Sequence, residues 1–246
     1  EPGIQIRLVR NDDYWGAPAS FARVVTQIIE EWGTRNVMLQ LGDLDCTVVP
    51  SEAIQDTKEI PGILAYDVPA LLNQALFFQF DIDPYSTLIG SGQLDGYGIP
   101  TNFFSDIDVR KGFAYAFDWD TYIAGGMAGY GKQMSSPIVE GIPYYKPDWP
   151  SYELDLAKAE EHLRAAWDGL LWENGFEMTL VYASGDITGK IACEILQNNL
   201  FEINPLFKIN IQLMMWPNIL DQMVLGGLPM YLNGWTADYP DPHDFV

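Results

Sequence analysis

The stretch GWTADYPDPHDF, residues 234–245, concentrates the side chains of this sequence that could do chemistry. It contains the carboxylates of Asp238, Asp241 and Asp244, the imidazole of His243 and the indole of Trp235. Carboxylate oxygens are ligands that Ca²⁺ and Mg²⁺ prefer, so a metal site has to be considered. Two prolines, at positions 240 and 242, restrict the backbone of the segment. We therefore expect the side chains to fan out along an extended turn and predict no metal ligation here.

The same segment could bind a cationic group. Gly234 allows a close approach of the backbone, Trp235 offers a broad apolar face, and Asp238 offers an anion on a stiff turn. A carboxylate held at the edge of a pocket suits an α-amino group or another cation. The alternative is a buried capping aspartate beside a core tryptophan, and the residues alone leave both interpretations open.

Several common catalytic motifs are absent from the sequence. There is no G-x-S-x-G nucleophile elbow, no H-E-x-x-H zinc motif and no G-x-x-x-x-G-K-[ST] phosphate loop, and His162 and His243 are the only imidazoles. With 34 acidic residues, a pair of carboxylates for glycoside hydrolysis is conceivable, but nothing in the sequence singles out a pair. We predict a protein without catalytic activity and keep a carboxylate-based glycoside hydrolase as the alternative.

Composition restricts the partners of the chain. Its 246 residues carry 13 basic and 34 acidic side chains, a net charge of −21, which repels nucleic acid and anionic lipid surfaces. No run of about 18 apolar residues is present, so no membrane span is predicted. Cys46 and Cys193 are too few for a disulfide scaffold, and a single bridge between them is left open.

Hydrophobic periodicity predicts a series of short elements in the first third of the chain. The predicted strands are residues 4–10, 21–31, 46–50, 62–66 and 74–82, and the predicted helices are residues 34–41 and 51–58. Thr34 is the expected cap of the first helix, and Gly42 is expected to end it. Residues 84–101 are rich in glycine and have little periodicity, which indicates an ordered loop or an insertion.

The remaining two-thirds of the chain predict alternating helices and strands. A helix is expected from a capping box of Ser105 and Asp108, and Gly112 in its middle indicates close packing against a neighbour. Residues 125–152 are predicted to be irregular, and Asp155 caps the next helix. Strands follow at 176–183, 207–216 and 228–235, with helices at 187–203 and 218–226. This order predicts an α/β layer with parallel pairings.

Six stretches in a common order resemble one family, the family 5 extracellular solute-binding proteins, which are the oligopeptide- and dipeptide-binding receptors of bacterial ABC importers. They are IRLVRNDDYWG, TRNVMLQLGDLD, FSDIDVRKGFAYAFDWDTYI, SSPIVEGIPYY, YELDLAKAEEHL and GWTADYPDPHDF. Each stretch is weak alone. Together they cover nearly the whole chain without a competing assignment.

The resemblance implies an α/β fold of the periplasmic-binding-protein type, with two lobes joined by a hinge. It implies that the chain is an internal fragment: residues 1–76 belong to the first lobe, 77–83 to a crossing hinge strand, and 84–246 to most of the second lobe. It also implies an extracytoplasmic, monomeric receptor without a cofactor or metal. Such a receptor hands a peptide to the membrane permease of an ABC transporter, and oligosaccharides, nickel chelates or other solutes are the alternative cargo.

The resemblance also implies which residues bind the ligand. In peptide-binding members the acid of the Trp-x-x-Asp segment holds the amino terminus of the ligand, which implies that role for Asp238, with Trp235 as a packing wall and Gly234 and Tyr239 beside them. Dipeptide-specific members place an arginine after the strand that precedes the long helix. Here that region reads VYASGDITGK, and Lys190 is the only nearby cation for a ligand carboxylate. Lysine is a poorer bidentate partner than arginine for a carboxylate. The sequence therefore lacks the arginine that binds the ligand carboxylate in dipeptide-specific members.

Overall fold

The computed structural model describes residues 5–66 and 70–245 and divides into two compact units, Glu1–Tyr66 and Asp67–Val246. The predicted strand at 74–82, close to the expected hinge, lies within the second unit. The assignment of residues 1–76, 77–83 and 84–246 to two lobes and a hinge stays a prediction.

The first unit is built on an antiparallel hairpin followed by two helices. Its elements are β1 (Gln5–Val9), β2 (Arg23–Gln27), α1 (Trp32–Leu41) and α2 (Ile54–Lys58), the last preceded by a 3₁₀ turn at Ser51–Ala53. The hairpin pairs in register from Gln5↔Gln27 to Val9↔Arg23. The predicted strands at 4–10 and 21–31 are therefore confirmed as shorter elements, and residue 4 lies outside the described residues.

Three predictions for the first unit are wrong in detail. Helix α1 begins two residues before Thr34, because the Glu31 carboxylate accepts hydrogen bonds from the N–H groups of Gly33 and Thr34 and so caps the helix. Residues 46–50 and 62–66 are irregular where strands were predicted. An apolar run forms a strand only when a partner strand satisfies its backbone groups. Within the described residues, β1 and β2 pair only with each other. Gly42 does end α1, in the left-handed conformation at φ 78°.

The second unit is a four-stranded sheet with helices. Its strands are β3 (Leu72–Phe78), β4 (Phe176–Ala183), β5 (Phe207–Met214) and β6 (Met230–Thr236), in the order β3-β6-β4-β5. Strand β4 runs parallel to β5 and β6, as the alternating pattern predicts, whereas β3 runs antiparallel to β6. The strand predicted at 74–82 is thus an edge strand that ends at Phe78, and its residues are half-buried or exposed.

The helices of this unit match most of the sequence-based expectations. They are α3 (Ile107–Ala116), α4 (Trp119–Thr121, continuing into a π-helical turn at Tyr122–Gly126), α5 (Leu156–Ala165), α6 (Leu170–Asn174), α7 (Ile187–Ile203) and α8 (Trp216–Leu225). Asp155 caps α5 as predicted. Helix α3 is capped by Asp106 instead of Ser105, because the Asp106 carboxylate accepts the N–H groups of Asp108 and Val109.

The main core lies between one face of the sheet and helices α3, α5 and α7. Its largest fully buried side chains include Phe103, Phe104, Phe113, Phe176 and Phe207. A smaller cluster on the other face joins α8 to the 84–101 loop through Leu88, Val181, Ile219 and Leu228. The loop is ordered, with a 3₁₀ turn at Thr87–Ile89. The two clusters hold the strands rigidly, so that residues at the strand ends are presented in a defined geometry.

Candidate ligand-binding site

The three parallel strands β4, β5 and β6 point their carboxyl ends toward the same end of the sheet. Ala183 at the end of β4 lies opposite Met214 at the end of β5, and β6 runs in the same direction beside β4 from the pairing of Val181 with Tyr231. In α/β sheets, ligands bind outside the carboxyl ends of the strands. The segment 234–245 covers the end of β6 and the turn that follows it, so the predicted site lies at this edge.

Gly234 is required by the sheet itself. A Cβ atom at this position would lie 2.6 Å from the main-chain oxygen of Asn73 on the neighbouring strand β3, a distance that side chains do not tolerate. The Gly234 N–H is bonded to the Asn233 side-chain oxygen at 2.9 Å. The pairing of β3 with β6 therefore explains the glycine without a ligand.

Trp235 is held by its backbone and by its ring nitrogen. Its backbone N–H donates to Asn73 Oδ1 at 3.2 Å, and the Asn73 amide donates in turn to the Pro137 carbonyl at 2.9 Å. Its indole N–H donates to Asp244 Oδ2 at 3.3 Å. The side chain is nevertheless 51% exposed. A fixed and half-exposed indole is a suitable wall for an apolar or cationic group.

Asp238 is an exposed residue of the turn that follows β6. Its backbone N–H donates to Asp244 Oδ2 at 2.7 Å, which fixes the turn. The residue is exposed, and within residues 5–66 and 70–245 its carboxylate has no hydrogen bond or ion pair. Of the two interpretations left open by the sequence, the structure does not show the buried capping aspartate. The acid is exposed and lies three residues from Trp235.

The remaining polar groups of the turn bond to one another. The Tyr239 hydroxyl lies 3.0 Å from His243 Nδ1, and the His243 N–H donates to Asp241 Oδ1 at 2.9 Å. Tyr239 is 45% exposed. In the described part of the chain, no group of three or more His, Cys, Asp or Glu side chains is arranged to hold a metal ion. The turn shapes a rigid surface instead of a chelating cluster.

Lys190 lies in the first turns of α7, directly after the carboxyl end of β4. Asp186 caps that helix by accepting the Gly189 N–H at 2.9 Å. The Lys190 ammonium forms an ion pair with Glu194 one turn later, at 3.2 Å. A ligand carboxylate would have to compete with Glu194 for this cation, which weakens Lys190 as an anchor.

Sequence reasoning missed two residues of this region. Trp216 was assigned to the end of a strand at 207–216 but begins α8 at the carboxyl end of β5, where it is 44% exposed. Pro217 could have indicated this, since proline is favoured in the first turn of a helix. Asp244 accepts hydrogen bonds from both Trp235 and Asp238, and the spacing of residue types in the segment does not reveal that role.

The chain matches the family described as bacterial extracellular solute-binding proteins, family 5 Middle, over residues 1–246. It belongs to this family. The probable D,D-dipeptide-binding periplasmic protein DdpA of Escherichia coli K12 is 24% identical over 247 residues, 100% of this chain and 43% of that protein. The periplasmic oligopeptide-binding protein OppA of Salmonella typhimurium is 23% identical over 251 residues, 98% of this chain and 42% of its own.

Solved structures of solute-binding proteins share the fold. The periplasmic binding protein DppA from Helicobacter pylori, in complex with the peptide STSA, superposes with a TM-score of 0.76 and 25% identity over 98% of this chain and 42% of that chain. NikZ from Campylobacter jejuni, in complex with Ni(L-His), gives a TM-score of 0.75 and 17% identity over 99% and 45%. The chain thus spans less than half the length of the proteins it matches.

The predicted fold class is confirmed: this family 5 chain has the α/β architecture of the periplasmic binding proteins. Three of the proteins named above, DdpA, OppA and DppA, are described as periplasmic binding proteins. In the described residues, no helix is long and apolar enough to cross a membrane.

Proposed function

We propose that this chain forms part of an extracytoplasmic receptor that binds a peptide-like solute and delivers it, chemically unchanged, to the membrane permease of an ABC importer. The observation that carries the proposal is the exposed carboxylate of Asp238, which has no partner within the described residues, on a turn whose Asp244 also holds the half-exposed ring of Trp235. Both lie at the edge of the sheet where α/β proteins bind ligands.

Asp238 supplies the charge complement of a ligand α-amino group. An ammonium bonded to an ionised carboxylate forms a charge-assisted hydrogen bond, which is stronger than a neutral one. The turn is already fixed through the Asp238 backbone N–H, so little conformational freedom is lost on binding. Trp235 packs against the adjoining part of the ligand. Closure of two lobes around the solute would exclude water and strengthen the ion pair.

The comparisons support a peptide-like cargo without specifying its length. DdpA carries a dipeptide in its name, and the H. pylori protein was solved with STSA. AppA from Bacillus subtilis, with a TM-score of 0.69, was solved with a nonapeptide. The structure of NikZ with Ni(L-His) keeps a non-peptide solute as the alternative cargo.

Calorimetry on the complete natural protein tests the role of Asp238. A peptide with a free amino terminus is compared with its N-acetylated form, for wild type and for Asp238→Asn. We expect the variant to weaken binding of the free-amino peptide by about 10- to 100-fold, the value of a hydrogen bond between charged groups. The acetylated peptide should bind wild type weakly and lose little more in the variant, because it has no ammonium to bond.

The matched control is Asp221→Asn, which removes the same charge from an exposed position of α8. It should leave the affinity unchanged. Binding of the free-amino peptide by Asp238→Asn as tightly as by wild type would contradict the proposal. Mass spectrometry of the recovered ligand should show an intact peptide, and cleavage products would indicate an enzyme.

A further inference from the structure

One oxygen atom bonds to both residues of the proposed site, to the ring of Trp235 and to the backbone of Asp238. Asp244 Oδ2 accepts the indole N–H of Trp235 at 3.3 Å and the backbone N–H of Asp238 at 2.7 Å. Asp244 belongs to a 3₁₀ turn, Pro242–Phe245, and its own N–H donates to the Asp241 carbonyl at 3.1 Å. The Asp244 carboxylate therefore accepts two hydrogen bonds, while the Asp244 backbone is held by Asp241. These bonds link the 3₁₀ turn to the residues at the end of β6.

The two hydrogen bonds restrict different motions. The bond to the Trp235 ring opposes rotation of the indole, whose nitrogen is its only donor. The bond to the Asp238 backbone N–H closes the loop between residues 238 and 244 and so restrains the backbone that carries the Asp238 side chain. Asn73 fixes the Trp235 backbone from strand β3. Of the two residues that hold the site, Asn73 bonds to Trp235 alone, whereas Asp244 bonds to both Trp235 and Asp238.

We propose that Asp244 is the positioning residue of the ligand site and that it acts as a hydrogen-bond acceptor, not as a charge that contacts the ligand. A single acceptor oxygen takes both bonds, so an amide oxygen at the same place can replace it, whereas a methyl group cannot. This inference rests on the proposed function only in so far as Trp235 and Asp238 contact the solute. The positioning of the indole can be observed without any ligand.

The test uses the complete natural protein labelled with ¹⁵N-tryptophan. The indole N–H signal of Trp235 is assigned by its loss in Trp235→Phe. Asp244→Ala should move this signal toward that of a solvent-exposed indole and should weaken binding of a free-amino peptide by about tenfold, as expected for the loss of two hydrogen bonds. Asp244→Asn should keep the signal near its wild-type position and the affinity within about threefold, because the acceptor remains.

The outcomes separate this inference from the proposed function. An unchanged indole signal in Asp244→Ala would overturn the positioning role, even if Asp238→Asn abolishes binding. Equal loss of affinity in Asp244→Ala and Asp244→Asn would overturn it as well, because Asp244 would then act through its charge. A shifted indole signal in Asp244→Ala, combined with full affinity in Asp238→Asn, would support the positioning of Trp235 and contradict the proposed contact with Asp238. Asp221→Asn serves again as the charge-matched control.

Discussion

A side chain at position 234 would share space with the main-chain oxygen of Asn73, 2.6 Å from where its Cβ would lie. The sequence suggested that this glycine lets a ligand approach, but strand pairing already requires it. Asp238 shows the opposite case, since nothing in the described residues occupies its carboxylate. At the scale of single residues, the structure explains Gly234 by strand pairing, whereas a ligand role for Asp238 stays a proposal.

The two cysteines differ in reactivity for a reason that the structure makes explicit. Cys46 is exposed and Cys193 is buried, and both are free thiols. Burial, together with the nearby Asp186 and Glu194 carboxylates, which disfavour a further negative charge, raises the pKa of the Cys193 thiol to about 12. The thiolate is the reactive form, so Cys193 should be inert at neutral pH.

We predict that iodoacetamide at pH 8 labels the folded 246-residue chain once, at Cys46. In urea at the same pH both cysteines should react, because the unfolded Cys193 thiol returns to an ordinary pKa of about 8.5 and is partly ionised at pH 8. Peptide mass spectrometry checks both statements. Labelling of Cys193 in the folded protein at a rate comparable to that of Cys46 would show that the core around α7 is open.

The contact of α3 with α5 determines the identity of one helical residue. Gly112 faces Leu163, and a Cβ atom on Gly112 would lie 2.5 Å from Leu163 Cγ. The same two helices are linked by Asp108 Oδ1 and His162 Nδ1 at 2.7 Å. The close packing predicted from a glycine in mid-helix is therefore confirmed. His162 is a half-buried structural residue that connects the two helices.

We predict that Gly112→Ala destabilises the protein although alanine is the better helix former. Overpacking costs about 1 to 3 kcal/mol, and the higher helix propensity of alanine offsets about 1 kcal/mol, so a net loss of up to about 2 kcal/mol is expected. The midpoint of urea unfolding measures it. Gly125→Ala is the matched control, because a Cβ there meets no atom within 4 Å. Equal midpoints for the two variants would contradict the packing argument.

The charge of the whole chain acts at longer range than any contact. A net charge of −21 at pH 7 produces a negative potential that attracts cationic solutes before they reach a site. This potential is screened over about 30 Å at 0.01 M salt and about 8 Å at 0.15 M. It affects the rate of association more than the final affinity.

We therefore predict that a lysine-rich peptide associates with the complete natural protein about tenfold faster at 0.01 M than at 0.15 M salt, whereas its dissociation rate changes less. A peptide of the same length without net charge serves as the control and should show a smaller effect. Stopped-flow fluorescence measures both rates. An identical salt dependence for the two peptides would show that the net charge does not steer the ligand.

Predictions of helices and strands from the sequence were correct where the hydrophobic pattern of a segment matches the way that segment packs in the fold. The strand at 176–183 and the helix at 187–203 have the predicted bounds, because a buried strand and a long amphipathic helix each carry a strong periodic pattern. The strands predicted at 46–50 and 62–66 did not form. A short apolar run does not reveal whether a partner strand exists, and strand formation depends on that partner.

By itself the sequence determined the family, the α/β class and the segment 234–245 as the candidate site, since these depend on residue types and their order. Only the tertiary structure decided that Asp238 has no partner within the described residues, that Lys190 is paired with Glu194, and that Asp244 bonds to both Trp235 and Asp238. Hydrogen bonds and ion pairs are set by distances of a few ångströms. Such distances arise only when strands and helices are packed together, so spacing along the chain could not predict them.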